Sequence, residues 1–232
     1  MTLERHDFTD RTALAKALAS AVADNISAAL TAQGVAAIAV SGGTTPAKLF
    51  VELGKHREVD WTKVFVTLVD ERWVDETSDR SNAALVNEKM LQGPAAVAHF
   101  IPLYSGGDTP DAEAIARTNR GIETLPRHYA AVLLGMGNDG HTASFFPGAD
   151  NLNEALLGEG PAVAVRAPGA GEPRVTQVLR RLLDTDALYL QIEGEEKAAT
   201  LARALGDGPV EEMPVRAVLR QQFKPLEIYW AP

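Results

Sequence analysis

Four short, almost uninterrupted apolar runs constrain this chain more than any other feature of it. They are Val35–Val40 (VAAIAV), Val64–Val69 (VFVTLV), Ala130–Leu134 (AAVLL) and Ala187–Ile192 (ALYLQI). A strand with one wet face alternates apolar and polar residues. A continuous run of five or six, mostly rich in β-branched or aromatic side chains, fits a strand buried on both faces, as in a parallel sheet. Helices are expected between the runs at Pro46–Gly54, Ser81–Leu91, Asp111–Leu125 and Glu195–Leu205. Upstream, Asp10 caps a helix reaching to about Ala32, with Leu14, Leu18, Val22, Ile26 and Leu30 as one apolar stripe. Strand alternating with helix predicts an α/β fold: an open, mostly parallel sheet with helices on both faces, three-layered and Rossmann-like. No repeat, low-complexity tract or linker divides the 232 residues, so one domain over 1–232 is expected. Gly158–Pro173, rich in Gly, Pro and Ala, is expected to be a mobile loop.

Composition narrows the function. Cysteine is absent, which removes disulfides, thiolate nucleophiles and Cys-ligated metals. Lys and Arg number 22 against 31 Asp and Glu, a net charge of −9. That balance argues against the broad basic face that nucleic acid requires. A small anion would still bind in a locally positive pocket. No apolar run approaches about 18 residues. The start, Met1 to Asp7, has no basic segment leading into an apolar one. A cytoplasmic protein with neither nucleic-acid nor membrane partner is expected, as a monomer or small homo-oligomer. His6, His56, His99, His128 and His141 are scattered, so no metal site is expected. No Gly-x-Ser-x-Gly elbow supports a serine triad.

Three polar motifs directly follow predicted strands. Ser41-Gly42-Gly43-Thr44-Thr45-Pro46 opens a helix that Thr44 or Thr45 can cap, and its free backbone N–H groups suit an anion. Asp70-Glu71-Arg72 offers carboxylates to orient a base or accept hydroxyls, and a guanidinium for phosphate or an oxyanion. Taken alone, Glu71 and Arg72 read as a surface ion pair. Gly135-Met136-Gly137-Asn138-Asp139-Gly140-His141 matches the dinucleotide spacing. However, Pro147 falls where the required long helix would run, so a nicotinamide cofactor is rejected. The glycines instead carry Asp139 and His141 on a tight loop, which suits a reactive imidazole. If the strands are parallel, all three motifs share one rim of the sheet, where ligands of such folds bind.

These residues resemble the 6-phosphogluconolactonases, a family grouped with the glucosamine-6-phosphate deaminases and isomerases on one α/β fold. The likeness runs over nearly the whole chain. It is carried by Ser41–Pro46 (SGGTTP), Val69–Val74 (VDERWV) with Ser81-Asn82, and Gly135–Gly148 (GMGNDGHTASFFPG), and less by Pro173–Thr176 and Gly194–Ala198. The deaminases carry His-x-Ala-Phe-Asn-Glu-Pro, and Phe146 here stands where they have Glu; this favours the lactonase. Small departures are Asp75, where the lactonases often have Pro, and Phe145, where Leu is common.

The resemblance implies hydrolysis of 6-phospho-D-glucono-1,5-lactone, without cofactor, by water activated at His141. An imidazole, with an unperturbed pKa of ~6.5, suits both taking and returning the proton. Asp139 or Asp70 would orient the ring, and Arg72 would stabilise the tetrahedral intermediate. Phosphate would lie against Ser41, Gly42, Gly43, Thr44 and Thr45, with Arg174 and Lys197 by family correspondence. The alternatives are an amino-sugar-phosphate deaminase or isomerase and a non-catalytic sugar-phosphate-binding module.

Overall fold

The computed structural model describes residues 3–232. Its strands are β1 (Leu3–Asp7), β2 (Ala36–Val40), β3 (Val64–Leu68), β4 (Asp70–Arg72), β5 (His99–Ile101), β6 (Tyr129–Leu134), β7 (Ala162–Val165), β8 (Arg174–Gln177), β9 (Thr185–Glu193) and β10 (Leu226–Ala231). Its α-helices are α1 (Arg11–Gln33), α2 (Ala47–Leu53), α3 (Asn82–Lys89), α4 (Ala112–Glu123), α5 (Leu152–Leu157), α6 (Leu179–Leu182), α7 (Glu195–Leu205) and α8 (Val215–Arg220).

Seven strands form one sheet in the order β1-β10-β9-β6-β2-β3-β5, every neighbouring pair parallel. The apolar runs make its centre, and every residue of β2 and β6 is buried, as two-sided burial requires. The chain steps from β2 through β3 to β5 on one side, then returns to β6 on the other. The strand order therefore reverses between β2 and β6, which opens a crevice at their carboxyl ends.

Helix α1 begins where expected: the Asp10 carboxylate accepts from the N–H groups of Thr12 and Ala13, at 2.8 and 2.9 Å. Length and composition alone would allow α1 to cross a membrane. Its stripe of Leu14, Leu18, Val22 and Ile26 is instead fully buried in the core against the sheet and α2. Ser81 and Asp111 cap α3 and α4 through their side chains.

Two local expectations fail. Neither Thr44 nor Thr45 caps α2; Pro46 holds that position and no side chain does so. Nor is Gly158–Pro173 wholly loop. Ala162–Val165 pairs antiparallel with β8, which pairs antiparallel with β4, giving a second, three-stranded sheet. The loop proper is the stretch 166–173.

Candidate active site

A cleft of about 580 Å³ opens at the crevice between β2 and β6. All three polar motifs line it: Ser41–Pro46 after β2, Asp70 and Arg72 on β4, and Gly135, Met136, Gly137, Asp139 and His141 after β6. Arg174 on β8 and Lys197 on α7 complete the residues expected from sequence, and every one of them faces this cavity.

The loop after β6 is built around its histidine. The Gly137 N–H donates to the His141 carbonyl at 2.9 Å, and the Gly140 N–H donates to the Gly137 carbonyl at 3.0 Å, closing a tight turn. Gly140 takes a φ of +82°, which glycine adopts without strain. A Cβ on Gly137 would lie 2.2 Å from the imidazole, so the ring fits only because that side chain is absent. Asp139 Oδ1 sits 2.6 Å from His141 Nδ1 and also accepts the His141 backbone N–H at 3.1 Å. An ionised carboxylate in that place calls for a proton on Nδ1, which leaves the Nε2 lone pair free. Burial raises the cost of charge on Asp139. The hydrogen bond and charge of His141 outweigh it and hold the carboxyl below its ordinary value. The His141 side chain is 31% exposed, so the ring is open to a ligand rather than sealed in hydrocarbon. Between Asp139 and Asp70, it is Asp139 that touches the ring.

Asp70 is buried and accepts from Ser144 Oγ at 2.5 Å. Glu71 and Arg72 do not pair at the surface. Glu71 has no exposed area, and its carboxylate takes the N–H groups of Arg72, Asn82 and Ala83 and the Ser81 hydroxyl. Burial pushes this carboxyl above its usual range against the pull of those N–H donors. The motif thus pins the start of α3, and Arg72 is left to reach the cleft while donating to the Arg80 carbonyl.

The positive charge is concentrated and partly desolvated. Arg174 is 8% exposed, donates to the Ala170 carbonyl at 2.9 Å, and leaves its buried Nε without a protein partner. Its guanidinium lies 5.4 Å from the centre of the Phe146 ring, whose centroid is 4.3 Å from that of His141. Lys197 Nζ is 3.3 Å from Thr45 Oγ1. Burial lowers the pKa of both cations; nearby acids oppose this, Asp70 at Arg174 and Glu193 at Lys197. Charged groups held out of water with spare donors suit an anionic ligand. Among the described residues, no group of three or more His, Asp and Glu side chains forms a metal site.

Sequence reasoning missed Arg80, Gln191 and the wall at Pro168–Ala170, which also line the cleft. Arg80 stands directly before the Ser81-Asn82 pair, an available signal. Gln191, whose Nε2 is 3.3 Å from the Thr45 carbonyl, lies in an apolar run and carries no motif.

The profile described as glucosamine-6-phosphate isomerases/6-phosphogluconolactonase matches residues 9–230. The chain belongs to this family. It is 47% identical to a 6-phosphogluconolactonase of Rhizobium meliloti (strain 1021), over the full length of both chains. It is 46% identical to one of Mesorhizobium japonicum, covering 97% of this chain and 94% of that relative. A crystal structure of a 6-phosphogluconolactonase from Shewanella baltica OS155 superposes with a TM-score of 0.96 at 37% identity, covering 99% of this chain and 98% of that one. A monomeric glucosamine-6-phosphate deaminase superposes at 0.76 with 16% identity, which shows that the fold is shared. Family membership and fold thus agree with the resemblance read from the motifs.

Proposed function

We propose that this chain hydrolyses 6-phospho-D-glucono-1,5-lactone to 6-phospho-D-gluconate, the hydrolytic step of the oxidative pentose phosphate route. It does so as a single-domain cytoplasmic enzyme that needs no cofactor. Full-length relatives at 46–47% identity bear this activity in their names. The observation that carries the reading is the imidazole braced by Asp139 at 2.6 Å, facing a cleft that also holds Arg72, Arg174 and Lys197.

Chemistry follows from that geometry. The lactone is an activated ester, so one base acting on water suffices. Nε2 of His141 takes a proton as the water oxygen bonds to C1. Charge on the resulting tetrahedral oxygen is met by Arg72; one such donor is typically worth about 10²–10³ in rate. The C1 bond to the ring oxygen then breaks, and the imidazolium returns its proton to that oxygen, which becomes a hydroxyl. The new carboxylic acid ionises into solvent. Phosphate lies against Ser41–Thr45 with Lys197 and Arg174. Binding so far from C1 holds the carbonyl near the base, contributing orientation rather than bond making.

Replacing His141 by Ala should abolish turnover above the spontaneous background while leaving phosphogluconate binding largely intact. Near-normal hydrolysis by that variant would remove His141 from the mechanism. In place of the deaminases' glutamate, Phe146 packs on the imidazole. Ammonia released from glucosamine 6-phosphate would decide for the deaminase reading, and phosphogluconate binding without lactone turnover for a sensor.

A further inference from the structure

The cleft is walled by two loops joined at their base by one backbone hydrogen bond, from the Trp73 N–H to the Pro173 carbonyl at 2.7 Å. One runs from β4 to α3 and presents Arg80; the other runs from β7 to β8 and presents Pro168, Gly169 and Ala170. The second loop has little intrinsic stiffness, since Gly169 and Gly171 both take a φ of +75° and few side chains of the stretch 167–171 pack into the core. Its order depends on polar ties, and those ties follow a pattern. Arg72 and Arg174 are register partners on adjacent antiparallel strands. Each donates to a backbone carbonyl of the loop beside it, Arg72 to Arg80 and Arg174 to Ala170. The two loops are then joined by a forked ion pair: Arg80 Nε and Nη2 face the two oxygens of Glu172, the Nη2 bond measuring 2.8 Å.

We propose that Arg80 and Glu172 are positioning residues for the lactonase reaction, a clasp that closes the two loops over the cleft and fixes Arg72 and Arg174 for the anionic substrate. Glu172 engages the Nε and one Nη2 donor of Arg80, and the clasp assigns Arg80 its role through the loops. Glu172 also lies close enough to Arg174 to feel its charge. The Glu172 carboxyl is held below its ordinary value, first by the Arg80 hydrogen bond, consistent with a pair that stays charged at neutral pH. The proposal rests on the lactonase reading only for its kinetic readout; the loop order it predicts exists without substrate.

The test is a double-mutant cycle with a charge swap: Arg80→Gln, Glu172→Gln, the double variant and R80E/E172R. An exposed bidentate pair is worth up to about a fivefold effect. Each single variant should therefore raise the lactone KM and the phosphogluconate Kd about three- to fivefold, with a smaller loss in kcat. The double variant should be no worse than either, and the swapped pair should recover most of the loss. Hydrogen exchange should speed up in the 166–173 loop in both single variants without any ligand, which reads the clasp even if the substrate assignment fails. Additive losses, or unchanged exchange in that loop, would overturn the clasp. So would tighter binding in Glu172→Gln beside weaker binding in Arg80→Gln, because Arg80 would then be meeting the anion directly.

Discussion

At the scale of single residues, the site depends on what is missing as much as on what is present. Gly137 lacks the one atom that would displace the imidazole. Gly137→Ala is expected to keep its fold and its affinity for phosphogluconate. Its kcat should fall by about 10², because a reacting group shifted by an ångström loses most of its orientation advantage. Steady-state kinetics beside a binding titration separates the two quantities, and an unchanged kcat would mean that ring placement is not limiting. The aromatic face of Phe146 matters on the same scale. It packs against the His141 ring and meets the Arg174 guanidinium, so one aromatic side chain braces both the base and a cation of the cleft.

At the scale of elements, Glu71 joins β4 to the first turn of α3. Its two oxygens receive four donors and nothing donates back. Glu71→Gln would turn an NH₂ toward at least one of those donors, leaving buried N–H or O–H groups unpaired. A loss of about 1–3 kcal/mol is expected, visible as a lowered Tm, together with a higher KM as Arg72 and Asn82 lose their anchor. A variant as stable as the parent would show that the carboxylate is dispensable. Sequence adjacency suggested a surface pair of Glu71 with Arg72 because charged neighbours usually face water. The helix that buries this carboxylate begins eleven residues later, at Asn82, and no local pattern reveals it.

At the scale of the whole molecule, one amide joins the two sheets. The Gln177 side chain accepts from the Tyr129 hydroxyl of β6 at 2.8 Å and donates to the Leu68 carbonyl of β3 at 2.7 Å, while its backbone N–H donates to Val69. Burial drives the Tyr129 phenol up to about 12, so its proton stays in place to donate at any working pH. Gln177→Leu would strand both partners, with an expected cost of about 2–5 kcal/mol. Through β8 it would also loosen Arg174, so chemical denaturation and the phosphogluconate Kd should both move. A change in stability with no change in affinity would mean that the small sheet holds its register without this joint.

The alternation of short apolar runs with helical stripes was enough to specify the parallel sheet, the cap at Asp10, the helices beginning near Ser81 and Asp111, and the rim on which Ser41–Thr45, Asp70–Arg72 and Gly135–His141 would meet. Those features follow from burial and from hydrogen bonds between near neighbours, which leave periodic marks along a chain. The edge strands β1, β5 and β7, the inner strand β10, the second sheet, the buried Glu71, the Arg80–Glu172 tie and the choice of Asp139 over Asp70 became visible only in three dimensions. All but the last join segments far apart in the chain, and two carboxylates at different distances along it look alike until the backbone turns one of them onto the imidazole.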